Sequence, residues 1–229
     1  MACLLLRGFC LYQNKTQMQW IEKIAEDYAE KYTTKLDEAL QKIYDDTLAN
    51  HEHAHMMSSD VQGKFLEFIS KLLQPKYILE IGTFTGFSAI CLAKGLQQNG
   101  ELHTIELRED DANTAWKNIS LAGMTEKIHL HIGDAQEIVK DLNYSWDLVF
   151  IDADKTSYIT YYEDVLKRLS SRGWILADNV LFHGQVLEEK IDNKSAIAIA
   201  QFNDHVLNDK RTEQVLLTVR DGLLLIKKK

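Results

Sequence analysis

A chain of 229 residues, 45% of them hydrophobic, has the length and apolar content of one large α/β domain. Its formal charge of −8 argues against a broad phosphate-binding face and so against nucleic acid as the default partner. The three cysteines, Cys3, Cys10 and Cys91, form neither a disulfide framework nor a paired metal-ligand pattern, which suits a reducing, cytoplasmic setting, and no apolar run approaches the ~18 residues of a membrane span.

The apolar start at Met1 to Leu6 is broken by Arg7 and Gly8 before it reaches the ~7 residues of a secretory signal. Residues 1–17 read as a poorly packed extension, with Met18 as an alternative start, because helical periodicity begins only at Gln17-Met18-Gln19-Trp20. Ile21, Ile24, Ala25 and Tyr28, then Leu36, Leu40, Ile43 and Tyr44, recur at helical spacing, and Thr33-Thr34 between them is suited to cap the second helix. The helical segment 18–59 is thus expected to cap a single domain spanning 18–229. His51-Glu52-His53-Ala54-His55 has metal-binding residue types, but only His51 and His55 would share a helical face and no Glu-x-x-His pattern accompanies them, so a solvated or lid segment is expected.

From here apolar runs and helical stretches alternate. Runs at 77–81, 102–107, 128–132, 146–151 and 173–177 are separated by helical patterns at about 60–73, 86–98, 109–122, 134–141 and 158–169, the signature of a doubly wound parallel sheet. A further helix near 194–207 precedes two runs, 215–219 and 223–226, joined across Arg220-Asp221-Gly222. Asp-Gly between apolar runs predicts a hairpin, so the expected fold is a Rossmann-like, seven-stranded sheet that ends in an antiparallel pair.

Ligands of such sheets sit beyond the carboxyl ends of the strands. The first strand ends in Glu80-Ile81-Gly82-Thr83-Phe84-Thr85-Gly86-Phe87-Ser88, where two glycines permit a tight turn into a helix. This lacks the three-glycine fingerprint of a pyrophosphate site. Glu106, with Leu107 beside it, ends the second strand about 20 residues on, where a carboxylate can accept from both hydroxyls of a ribose. With the Gly133-Asp134-Ala135 turn after the third strand, these features describe a nucleoside site without phosphates. Two more strands end in Asp152-Ala153-Asp154-Lys155 and Asp178-Asn179. Neighbouring parallel strands lie ~5 Å apart, so Asp152, Asp178 and Asn179 can grip one hard cation, magnesium first, with manganese or calcium as alternatives.

A nucleoside with a small zwitterionic tail is S-adenosylmethionine, and here the chain resembles the class I methyltransferases. More closely it resembles the cation-dependent O-methyltransferases, which include catechol and caffeoyl-CoA O-methyltransferases. The specific elements are the segment 80–88, Asp152-Ala153-Asp154-Lys155-Thr156-Ser157-Tyr158 and Asp178-Asn179-Val180-Leu181, and the resemblance runs from about Trp20 to the carboxyl terminus. It implies that Gly82, Thr83 and Phe84 line the cofactor and that Ser88 with the following helix end holds the methionine carboxylate. It also sets Glu80 near the amine, Glu106 and Leu107 at the ribose, Asp134 and Ala135 at the adenine, and Met56 in a lid. Asp152, which also borders the cofactor, Asp178 and Asn179 match the metal ligands, and Lys155 matches the lysine beside the reacting hydroxyl. A homodimer is implied as well, with the amino-terminal helices as a contact.

Phe182 stands where many relatives carry tryptophan, and the proline common before the terminal hairpin is replaced near Thr218. These departures leave the substrate open. The leading expectation is a small catechol-like molecule. The alternatives are a 5-hydroxyuridine of transfer RNA, which a basic patch would favour, and a nonenzymatic nucleoside-binding protein, which would need neither Lys155 nor the acidic set. The terminal Lys227-Lys228-Lys229 is too little to establish a basic patch.

Overall fold

The computed structural model describes residues 24–229, so the expected extension over 1–17 and the start at Met18 lie outside the described residues. The chain divides into two compact units between Lys35 and Leu36. In the first, residues 24–32 are helical (α1), and the Thr33 hydroxyl donates back to the Ala29 carbonyl at 2.7 Å. Thr33 therefore closes one helix and does not open the next. The cap of α2 (Glu38–Asn50) is Asp37, whose Oδ1 accepts from the Leu40 N–H at 3.0 Å. An aspartate here satisfies an orphan N–H and also sets a negative charge at the positive helix end.

The second unit continues with α3 (Asp60–Leu73), β1 (Tyr77–Ile81), α4 (Phe87–Ala93), β2 (Glu101–Glu106), α5 (Glu109–Leu121), β3 (Ile128–Ile132) and α6 (Ala135–Asp141). It ends with β4 (Trp146–Ile151), α7 (Tyr158–Arg168), β5 (Leu169–Asp178), α8 (Lys194–Asn208), β6 (Thr212–Leu217) and β7 (Leu223–Lys228). The strands form one sheet in the order β3-β2-β1-β4-β5-β7-β6, parallel from β3 through β5 and antiparallel at β7 and β6. The expected Rossmann-like sheet with its terminal hairpin is thus the observed one. Among the described residues no helix is long and apolar enough to cross a membrane.

Alternation along the central strands builds two cores. Ile78, Leu102, Leu148 and Phe150 pack with α3 and α4 side chains such as Leu66 and Ile90 on one face. Leu79, Ile81, Val149 and Ile151 pack with Tyr158, Tyr162 and Phe202 from α7 and α8 on the other. A strand buried on both faces must be apolar almost throughout, which is why β1 and β4 are so legible as runs.

Two strands begin several residues ahead of their apolar runs. β5 begins at Leu169, which pairs with Trp146 before a register shift restarts the ladder at Leu148 and Trp174. The intervening Ser170, Arg172 and their neighbours look like a loop in sequence, yet the Ser170 hydroxyl anchors them by donating to Asp147 Oδ1 at 3.0 Å. β6 starts at Thr212 on the sheet edge, where one side faces water and polar residues are tolerated. The hairpin tip presses on the loop that follows β5. Gly222 has φ +85°, a Cβ there would come within 2.6 Å of the Leu181 side chain, and its carbonyl accepts from the Val180 N–H at 3.1 Å.

Candidate active site

The strand order reverses direction between β1 and β4, the position at which open α/β sheets form their ligand crevice beyond the carboxyl ends of the strands. Gly82 makes the close approach feasible: its φ is +100°, and a Cβ would lie 2.0 Å from the Asp152 carbonyl oxygen. Only glycine fits. Beyond it, Phe84 takes φ +49° and donates its N–H to Glu106 Oε2 at 2.7 Å, while the Arg108 N–H donates to Glu106 Oε1 at 3.0 Å. Glu106 is thereby fixed by two backbone amides. An ionised carboxylate has about four acceptor positions, so two remain for a ligand.

Glu80 is fully buried at the end of β1. Thr104 donates to its Oε2 at 2.5 Å, Thr83 is hydrogen-bonded to Thr104 in turn, and Oε1 has no partner of normal geometry. Burial pushes the carboxyl up to about 8, against the pull of the Ser88 and Thr104 hydroxyls, with the Asp152 and Glu106 charges adding to the rise. An orphaned acceptor inside the crevice is what a ligand ammonium would satisfy.

The ends of β4 and β5 bring the second group together. Ile151 pairs with Ala177, so Asp152 and Asp178 leave the sheet side by side. Lys155, in a single 3-10 turn (Lys155–Ser157) ahead of α7, donates to Asp152 Oδ1, Asn179 Oδ1 and the Tyr158 hydroxyl, each at 2.8 Å. Burial alone would lower the Lys155 pKa, but the Asp152 charge and the hydrogen bonds to Asp152 and Tyr158 raise it well above the usual lysine range. Asn179 reaches this position from a left-handed backbone, φ +58°. Asp178 is buried, its Oδ1 accepts from the Asn179 N–H at 2.8 Å, and its Oδ2 accepts from Gln62 Nε2 at 2.5 Å. Burial, then the neighbouring Asp152, lifts it to about 6. One carboxylate and an amide oxygen already hold an ammonium here, with the Asp178 carboxylate adjoining on the next strand end, and this oxygen-only donor set suits a hard divalent cation.

The geometry therefore unites Asp152, Lys155 and Asn179 directly, with Asp178 adjoining, and it joins Phe84 to Glu106. Gly82 adjoins Asp152, while Thr83 and Ser88 belong to the Glu80 cluster. Asp134 caps α6 by accepting from the Gln136 N–H at 2.8 Å, with Ala135 buried behind it. Met56 and Leu107 are not drawn into these networks: they are 44% and 72% exposed. His51 pairs with Asp111 at 3.0 Å and sets its ring edge-on to Phe84, which ties the histidine segment to the glycine loop. Ser58 is buried, and the residue that caps α3 is Ser59, accepting from the Gln62 N–H at 3.2 Å.

Sequence reading missed Gln62 and Arg220. Arg220 Nη1 donates to Gln62 Oε1 at 3.1 Å and to the Met57 carbonyl at 3.2 Å, which aims the Gln62 amide at Asp178. Arg220 lies within a segment that reads as a hairpin turn, and nothing in the pattern signals a second role. Tyr158, the last residue of the motif that opens with Asp152, is buried beneath this cluster. Its hydroxyl lies 3.0 Å from the Asp178 carbonyl and 3.2 Å from that of Ile151.

Comparison with known proteins identifies the family. The family model described as O-methyltransferase matches residues 30–229. A probable caffeoyl-CoA O-methyltransferase of Dictyostelium discoideum is 33% identical over 208 residues, covering 88% of this chain and 90% of that protein. A catechol O-methyltransferase of Niastella koreensis is 41% identical over 147 residues, 62% of this chain and 66% of that protein. Among solved structures, the O-methyltransferase TomG from Streptomyces achromogenes in complex with SAM is similar with a TM-score of 0.83 at 28% identity, covering 90% of this chain and 96% of that one. The chain belongs to the class I S-adenosylmethionine-dependent O-methyltransferase family.

Proposed function

We propose that this enzyme methylates a hydroxyl of a small, vicinally dihydroxylated aromatic molecule with the help of a divalent cation held by Asp152, Asp178 and Asn179. The observation that carries the reading is the ammonium of Lys155, 2.8 Å from both Asp152 Oδ1 and Asn179 Oδ1 beside the Gly82 turn. A positive charge is gathered there by oxygens from two adjacent strand ends. The catechol O-methyltransferase of Niastella koreensis supports the substrate class.

S-adenosylmethionine supplies a methyl group made electrophilic by its sulfonium sulfur. A bound cation supplies Lewis acidity that lowers the pKa of a substrate hydroxyl. The remaining work belongs to the chain. Glu80, through the Oε1 that Thr104 does not engage, binds the cofactor's ammonium; Ser88 meets its carboxylate; Glu106 takes the ribose hydroxyls. Asp134 and Ala135 border the adenine, and Met56 covers it. Lys155 receives the hydroxyl proton at Nζ. The Asp152 charge that raises the Lys155 pKa would be neutralised by a cation held there, which would free the amine to accept a proton. Positioning of the hydroxyl against the methyl then supplies much of the rate.

The test is methyl transfer from labelled S-adenosylmethionine to a panel of catechols and, in parallel, to hypomodified transfer RNA, each with magnesium and with chelator. Chelator-sensitive labelling of a catechol is expected. Labelling confined to RNA would move the same chemistry to a nucleoside substrate.

A further inference from the structure

The other end of the sheet carries a cluster that methyl transfer does not use. Glu101 and His103 are two apart on β2, and His129 on β3 stands directly opposite His103, so all three project from one face. Glu101 begins its strand and Glu106 ends it, which separates the cluster from the methyl-transfer crevice by about 16 Å of strand. Glu101 Oε2 lies 3.4 Å from His103 Nε2 and 3.9 Å from His129 Nε2. One ligand atom from each residue falls within 4.8 Å of the others. Metal–ligand bonds of about 2.0 Å in a tetrahedron set ligand atoms about 3.3 Å apart, so a small closure of two surface side chains completes the geometry.

The inner residue points to a ligand. His103 is 4% exposed, yet its Nε2 has no hydrogen-bond partner of normal geometry. Its other nitrogen, Nδ1, is 3.0 Å from His131 Nε2. If Nδ1 carries the proton and donates it to His131, the lone pair of Nε2 faces Glu101 and His129. That is the tautomer of a metal-bound histidine whose second nitrogen is held by an outer partner. Burial, and then the neighbouring His129 and His131, lower the His103 pKa and keep the ring neutral. Glu101 and His129 are about two-fifths exposed on their side chains, which leaves an approach from solvent. A second cluster, Glu163, His205 and Asp209, makes the contrast. There Arg211 already neutralises both carboxylates, at 2.7 Å and 2.6 Å, whereas among the described residues the ion-pair partners of Glu101 are the two histidines, with the Tyr144 hydroxyl as a further hydrogen-bond partner.

We infer that Glu101, His103 and His129 form a binding site for a transition-metal dication of the zinc class, oriented by His131 and separate from the hard-cation ligands of the methyl-transfer site. Two imidazoles and a carboxylate with an open fourth position match the preferences of zinc and not those of magnesium. Bound there, the ion would pin the edge strand β3 to β2.

The test is titration of the metal-stripped full-length chain with Zn2+ against a chromophoric chelator, in excess magnesium. The variants are His129→Ala, Glu101→Gln and the double variant Asp152→Ala/Asp178→Ala. His129 and Glu101 are surface residues, so their replacement leaves the core intact, and unchanged S-adenosylmethionine affinity verifies the fold. The inference predicts about one tight equivalent of Zn2+ in the wild type and in the double aspartate variant, with at least a ~10-fold loss of affinity in His129→Ala and Glu101→Gln. It is overturned if the wild type takes up no zinc, if His129→Ala binds as the wild type does, or if the equivalent disappears with the two aspartates.

Discussion

Glu80→Gln isolates the electrostatic tension built into the cofactor crevice. The ordinary pKa of the group is 4.5, and burial raises it to about 8 in the folded chain. Between these values the folded state retains a proton that the unfolded state has released, so stability falls as pH rises from the unfolded pKa to the folded one. At about 1.4 kcal/mol per unit the full effect is roughly 5 kcal/mol, of which roughly 3–4 kcal/mol falls between about pH 5 and about pH 8. Glutamine cannot ionise and lacks this slope, although its amide adds a pH-independent offset of its own. The assay is thermal unfolding of both proteins without cofactor at the two pH values, read as a double difference so that other titrations cancel. For a chain of this size the variant should gain roughly 7–14 °C on wild type across the interval. A melting-temperature difference that is the same at both pH values would refute the reasoning, because it would mean that Glu80 titrates like an exposed carboxyl.

Glu106→Ala should weaken S-adenosylmethionine binding about 10- to 100-fold in calorimetry, the worth of one charged hydrogen-bonding group; an unaltered dissociation constant would mean the ribose is elsewhere. Lys155→Met should lower kcat by about 10²–10⁴ while leaving cofactor affinity near wild type, which single-turnover rates and equilibrium binding would separate. Asp178 must be anionic to hold a cation, so at subsaturating magnesium activity should fall as pH drops through about 6. Removing the Gln62 hydrogen bond, which lowers that pKa, should move this acidic limb upward in a pH–rate profile of Gln62→Ala.

The parallel sheet was legible because strands buried on both faces must be apolar and because each is followed by a helix of clear period. Where burial is one-sided or the ladder is irregular the signal fades. Thus Ser170 to Arg172 and the start of β6 passed for loop. The site was legible to the extent that its chemistry sits at strand ends. Asp152, Asp178, Asn179 and Glu106 follow apolar runs, and topology alone brings their neighbours together. Gln62 and Arg220 were not legible, since each acts through contacts separated by 116 and 158 residues in the chain and neither belongs to a local motif. Thr33 misled for a related reason: a hydroxyl near a helix boundary can serve either helix, and the aspartate four residues on was the stronger cap.

The account rests on one cation site shared by two strand ends, and Asp178→Ala tests it most directly. Turnover of a catechol should be measured with magnesium and with chelator, alongside S-adenosylmethionine affinity in the same preparation. Loss of metal-dependent turnover with cofactor affinity largely spared is the predicted result. Turnover in the variant that still matches wild type and still responds to magnesium would contradict the assignment.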